Sequence, residues 1–197
     1  MDYASSLLGL LPGGRRTPGL KELLASVGTY LPAEQVARIR EAAEFGASAH
    51  KGQKRLSGEP YIAHPVAAAA ILADLHLDGD TIVAAILHDV IEDTEVTLVD
   101  PQNAGYPRAV IHAVDCLTRR EGETYAAYIE RVATDPIAKV VKIADLRDNL
   151  RNNKSLSPRL DVVERIQRYE QALSLLEPRL YSPDEARSPR ASQFERQ

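Results

Sequence analysis

Between residue 33 and about residue 180, apolar side chains return every three or four positions, and no stretch alternates with a period of two. That pattern restricts the chain to helices packed on helices. From Pro32 to His50 the apolar series is Val36, Ile39, Ala43, Gly46 or Ala47, and His50, with Pro32 where a first-turn proline is tolerated. The stretch KGQKRLSGEPYIA then interrupts with two glycines and a proline in a basic loop. HPVAAAAILADLH restarts a helix with Pro65 near its first turn, and Asp78 or Asp80 caps another from about Thr81 to Asp93. Further helices fit 106–119, 123–133, 137–153 and 158–177, bounded by Gly, Pro or Asp. The expected fold class is all-α, with roughly seven or eight helices. The absence of Trp, the scarcity of Phe and the abundance of Ala agree with helix over sheet.

The length of 197 residues suits one domain. Residues 1–32, punctuated by PGGRRTPG and YLP, read as an irregular arm with at most one short helix near LKELLASV. Residues 33–180 form the helical domain, and 181–197, rich in Ser, Pro, Arg and Glu, read as a loose tail. The net charge of −4 argues against a protein that grips nucleic acid. A single cysteine, Cys116, makes no internal disulfide and suits a reducing compartment. No basic residue precedes the short apolar stretch at the N-terminus, and nothing approaches a membrane span. The expectation is a cytoplasmic protein with no membrane or nucleic-acid partner. The sequence does not indicate its oligomeric state.

ILHDVIEDT, residues 86–94, concentrates the chemistry. On an unbroken helix with His88 at 0°, Glu92 lies at about 40°, Asp89 at about 100° and Asp93 at about 140°. Val83, Leu87, Val90 and Ile91 occupy the opposite side. Three carboxylates this close repel one another, and a half-buried setting makes that costly unless a cation compensates. A divalent metal is such a cation, and a solvated acidic helix end is the alternative. Other ligands must come from elsewhere. His64 opens the next helix upstream. Asp145 sits among apolar residues in KVVKIADLRDNL, with Lys142 three before it and Asn149 four after it on one face. A local Lys142–Asp145 ion pair is the alternative there. His50, on the apolar face of its helix, reads as a hydrogen-bonded core histidine or a residue lining the site. Cys116 has no activating base beside it and reads as core.

The order His64, His88-Asp89, Asp145 resembles the HD-domain metal-dependent phosphohydrolases. The closer resemblance is to the hydrolase domain of RelA/SpoT-type alarmone enzymes. It rests on AHKGQKRLSGEPYIAHPVAAAAILADL, TIVAAILHDVIEDT and VKIADLRDNLR. The resemblance implies an HD-domain helical bundle holding one Mn²⁺ on His64, His88, Asp89 and Asp145. It implies that Glu92 and Asp93 are catalytic and position and activate water. It places Arg55 against the guanine with Ser57 beside it, Asn149 near the ribose and Lys142 close to the site. Lys54 would add local positive charge. The implied reaction is hydrolysis of the 3′-pyrophosphate of ppGpp or pppGpp. A stand-alone small hydrolase is expected, because the chain stops where the long bifunctional enzymes begin a synthetase domain. Two other readings compete. One is an HD phosphohydrolase acting on another phosphorylated nucleotide, such as NADPH. The other is a non-catalytic nucleotide-binding regulator.

Overall fold

The computed structural model of the protein describes residues 18–55, 58–154 and 160–177. Ten helical segments follow one another there: α1 (Leu20–Val27), α2 (Ala33–Ala49), α3 (Ala63–Ala73), α4 (Gly79–Leu87), α5 (Val90–Asp93), α6 (Val99–Asn103), α7 (Arg108–Leu117), α8 (Tyr125–Thr134), α9 (Pro136–Lys154) and α10 (Leu160–Leu176). Among the described residues the sole β feature is one isolated bridge, Lys54 with Pro60. The all-α expectation holds. The extra segments arise because residues 81–93 divide into two helices and a short turn of helix forms at 99–103.

Two helices form the middle of the bundle. All of α3 from His64 to Ala70 is buried, and its run of alanines lets α4 and α9 approach closely. In α4 every residue except Asp80 is buried. Ile82, Ile86, Leu87, Ile143 and Leu146 are almost wholly excluded from solvent, each contributing about 1.5–3 kcal/mol through burial. Gly46 of α2 shows how tight the approach is. A Cβ there would meet Ile62 Cδ1 at 3.0 Å and the Ile86 carbonyl at 3.6 Å. Leu23 and Val27 of α1 belong to the same core, so the core of the described residues begins before residue 33.

Local chemistry sets the helix ends. Asp78 caps α4 by accepting from the Thr81 amide at 3.0 Å and the Thr81 hydroxyl at 2.9 Å. Thr124 caps α8 and accepts from the Ala127 amide at 3.2 Å. Asp135 accepts from the Ala138 amide at 2.7 Å, and Pro136 then takes the first position of α9. Between α2 and α3 the basic loop is clipped by backbone bonds, Arg55 N to Glu59 O at 2.9 Å and Tyr61 N to Gln53 O at 3.1 Å. Gly52 and Gly58 both take positive φ in it, which side-chain-bearing residues rarely adopt. This loop carries Arg55 and Tyr61 to the mouth of the site. Ser57, expected beside the base, lies outside the described residues. So do residues 1–17, most of the expected arm, and the tail from 178 onward.

Candidate metal centre and its cavity

The helix expected to run unbroken from 81 to 93 is interrupted at His88 and Asp89. His88 Nδ1 lies 2.7 Å from the Ala85 carbonyl. That carbonyl is the acceptor the Asp89 amide would use in a continuous α-helix. The interruption corrects the simple helical wheel. His88 and Asp89 turn inward together, while Glu92 and Asp93 sit on a separate short helix, both exposed.

Three distant segments converge here. His64 comes from the first turn of α3, His88 and Asp89 from the α4–α5 break, and Asp145 from the middle of α9. Donor atoms of His64, His88 and Asp145 all lie within 4.8 Å of one another, and all three residues are buried. His64 Nε2 is 2.9 Å from Asp145 Oδ1 and 3.7 Å from Asp89 Oδ2. His88 Nε2 is 3.0 Å from Asp89 Oδ1 and 3.7 Å from Asp145 Oδ1. Yet His88 Nε2 is buried without a properly aligned hydrogen-bond partner.

This arrangement fits a cation. The Ala85 carbonyl can only accept, so His88 Nδ1 carries the proton and Nε2 presents a lone pair to the cluster. Asp148 Oδ2, 2.8 Å from His64 Nδ1, orients the other imidazole in the same way. Metal-binding histidines are characteristically held through the nitrogen that does not bind the ion. Two imidazoles and two carboxylates suit a first-row divalent metal better than Ca²⁺, which prefers oxygen donors throughout.

With protons as the only compensating cations, the charges pull strongly on one another. Burial opposes the charged forms of His64 and His88, but their carboxylate neighbours outweigh it and raise both pKa values. Burial likewise opposes ionised Asp145, and Lys142 with the two histidines still holds its pKa well below the usual carboxylate value. Lys142 Nζ is 2.7 Å from Asp145 Oδ2, and Asn149 Nδ2 donates to Asp145 Oδ1 at 2.6 Å. The one-face relationship of Lys142, Asp145 and Asn149 is present as expected. The Lys142–Asp145 ion pair forms too, and it coexists with the histidine cluster.

Above the cluster opens a cavity of about 510 Å³. Its lining includes Lys54, Arg55, His64, Asp89, Glu92, Lys142, Asp145 and Asn149. Arg55 Nη2 donates to Asn149 Oδ1 at 3.3 Å across the opening. Glu92 Oε2 accepts from the Arg119 amide at 3.1 Å. Asp93 is held by Tyr61, whose phenol donates to Asp93 Oδ2 at 2.5 Å and approaches Asp89 Oδ2 at 2.9 Å. His50 is not part of the cluster. It is buried, lies 2.9 Å through Nδ1 from Gln53 Oε1, and stacks on Tyr61 at 4.5 Å. Cys116 is buried, but its Sγ lies 3.9 Å from His112 Nδ1, so a base does stand beside it, while burial pushes the thiol pKa up.

A model of the HD-domain family matches residues 42–172. The chain belongs to the HD-domain family. Among curated relatives of this HD-domain chain is the bifunctional (p)ppGpp synthase/hydrolase SpoT of Escherichia coli K12. It is 38% identical over 143 residues, which cover 67% of this chain and 20% of the relative. The guanosine-3′,5′-bis(diphosphate) 3′-pyrophosphohydrolase of Haemophilus influenzae is 43% identical over 120 residues, covering 56% and 18% of the two chains. The chain thus spans about a fifth of the length of the curated relatives it matches. A solved structure, described as a metazoan ortholog of SpoT that hydrolyzes ppGpp, superposes with a TM-score of 0.61 at 27% identity, covering 74% of this chain and 85% of that one.

Several residues of this HD-domain site escaped the sequence reading. Asp148 lies three positions after Asp145, and Tyr61 lies three before His64, so helical spacing could have drawn attention to both. Arg119, Tyr125, Tyr128, Arg165, Arg168 and Tyr169 also line the cavity. They come from α8, α10 and the loop after α7, and no motif announces them. Among the described residues no helix is long and apolar enough to cross a membrane.

Proposed function

We propose that the chain is a Mn²⁺-dependent hydrolase of guanosine 3′,5′-bis(diphosphate) and its 5′-triphosphate form. It would cleave the 3′-pyrophosphate and leave GDP or GTP. The observation that carries this reading is the meeting of His64, His88, Asp89 and Asp145 beneath a cation-lined cavity in an HD-domain chain. The relatives named for ppGpp hydrolysis support the substrate.

His64, His88, Asp89 and Asp145 would hold the metal, which when bound supplies Lewis acidity toward a phosphoryl oxygen and makes water more acidic. Glu92 faces the cavity with its carboxylate steadied by the Arg119 amide, in place to take a proton from the attacking water. Asp93, steadied by Tyr61, orients that water. The water oxygen bonds to the phosphorus next to the ribose, the bond from phosphorus to the 3′-oxygen breaks, and the 3′-oxygen gains a proton as pyrophosphate leaves. Lys142, already at the cluster, offsets negative charge on the transferred phosphate. Arg55 stacks on the guanine with Ser57 beside it, Asn149 contacts the ribose, and Lys54 adds positive charge at the rim. The single free cysteine and this small-molecule substrate accord with a cytoplasmic setting.

Incubating the protein with ppGpp and Mn²⁺ is expected to yield GDP and pyrophosphate in equal amounts. NADPH, offered in parallel, is expected to release little phosphate. Full metal loading with no turnover of ppGpp or pppGpp overturns the substrate assignment.

A further inference from the structure

Lys54, Arg55, Arg119, Lys142, Arg165 and Arg168 all line the cavity. Three are matched to carboxylates: Arg55 to Asp148 at 3.5 Å, Lys142 to Asp145 at 2.7 Å and Arg165 to Asp161 at 3.7 Å. Among the described residues Arg119 and Arg168 form no such ion pair, and neither does Lys54 on the opposite loop. Arg119 is anchored by donating through Nη2 to the Glu123 carbonyl at 3.2 Å, a neutral acceptor.

These two arginines come from different elements, the loop after α7 and α10, yet they share one ring. Their guanidinium carbons lie 5.9 Å and 5.8 Å from the centre of Tyr125. Two like charges gathered at one ring repel each other. The electron-rich ring attracts each guanidinium, and an anion reaching between the two would be attracted by both charges. Guanidinium groups suit this role because their fork of N–H donors matches phosphate oxygens.

Tyr125 also relates the arginine pair to the metal donors. Its ring is 6.0 Å from that of Tyr128, which lies 5.3 Å from Lys142 Nζ, which in turn reaches Asp145. A row of aromatic rings therefore separates the arginine pair from the metal donors. One end of a ligand can occupy the cluster while the other meets the arginines.

We infer that Arg119 and Arg168 form a second anion subsite that binds the phosphate group remote from the scissile bond. This rests on the hydrolase reading and deepens it: the site selects nucleotides phosphorylated at both ends. For the alarmones, the group bound there is the 5′-diphosphate or 5′-triphosphate. The pair acts on specificity, not on the bond-breaking step.

The test compares ppGpp with guanosine 3′-diphosphate, which has a 5′-hydroxyl, using wild type, Arg119→Gln and Arg168→Gln. Arg119→Gln keeps the backbone amide that holds Glu92. Each substitution is expected to lower the ratio of kcat/KM for ppGpp over the 5′-hydroxyl compound about tenfold, chiefly through KM. A ratio unchanged in both variants overturns the subsite. Calorimetric binding of GDP to the Mn²⁺-loaded protein gives a readout without turnover. GDP is expected to bind about tenfold more weakly to each variant, and equal affinity in all three proteins counts against the subsite. If wild type hydrolyses neither compound while GDP binding still depends on both arginines, the hydrolase reading falls and the subsite stands.

Discussion

Asp148 Oδ2 sits 2.8 Å from His64 Nδ1, on the side of the imidazole away from the metal donors. The same buried carboxylate accepts from Arg151 at 2.5 Å and from Asn152 at 2.9 Å, and Arg55 approaches it at 3.5 Å. Arg151 thereby reaches the site through Asp148. Asp148 thus couples the orientation of a metal-site histidine to the loop that carries Arg55. Asp148→Asn is expected to weaken Mn²⁺ binding about 10–100-fold. Metal titration followed by calorimetry measures this directly, and an unchanged affinity would mean that His64 is held without it.

Lys142 and Asp145 form a largely buried ion pair at the site, with side chains 14% and 4% exposed. Removing one partner strands the other charge. Asp145→Ala is expected to abolish metal binding and cost about 3–5 kcal/mol in denaturant unfolding. Adding Lys142→Met to that variant should recover part of the stability without recovering metal. A double variant no more stable than the single one would show that stranded charge is not the source of the loss.

Glu92 and Asp93 lie outside the donor cluster, exposed on α5. Glu92→Gln and Asp93→Asn are each expected to lower kcat about 10²–10⁴-fold, with metal content and melting temperature close to wild type. Elemental analysis beside steady-state kinetics separates this from loss of the ion. A variant that loses metal in step with activity would turn its residue from proton handling to ligation.

Arg131 holds the loop that steadies Glu92. It donates to the carbonyls of Asp115, Cys116 and Thr118 at 3.1, 2.9 and 2.9 Å, and its Nη2 meets Glu123 Oε2 at 2.7 Å. Hydrogen bonding from Arg131 is the main reason the Glu123 carboxyl is held down to about 2 from an ordinary value of 4.5. A depressed folded-state pKa stabilises above the unfolded value and loses that effect as pH falls through the folded one. The melting-temperature difference between wild type and Glu123→Gln should therefore be full above about pH 4.5 and shrink towards pH 2. A difference that does not change with pH across that window contradicts the pairing.

The motifs drew attention to the candidate donors because each lies in a short, chemically unusual run. A histidine and carboxylates inside ILHDVIEDT, and a carboxylate inside VVKIADL, stand out from their apolar neighbours. The helical wheel also placed Lys142, Asp145 and Asn149 together, since three- and four-residue spacing on one straight helix is a local property. The same wheel failed at His88, because the ring of that residue competes for the Ala85 carbonyl and interrupts the helix. His50 shows a related limit: its place on an apolar face was readable, but its stacking on Tyr61 depends on a loop folding back.

By itself, then, the sequence determined the helical class, most of the helix ends, and which residues carry the chemistry to hold a metal. These follow from periodicity and side-chain chemistry over a few positions. Only the tertiary structure decided what surrounds those residues. Asp148 behind His64, the Arg119 amide under Glu92, and the Arg119–Tyr125–Arg168 grouping all join segments far apart in the chain. Their partners are chosen by how α3, α4, α8, α9 and α10 pack, and nothing in the local sequence encodes which side chains will face one another across that space.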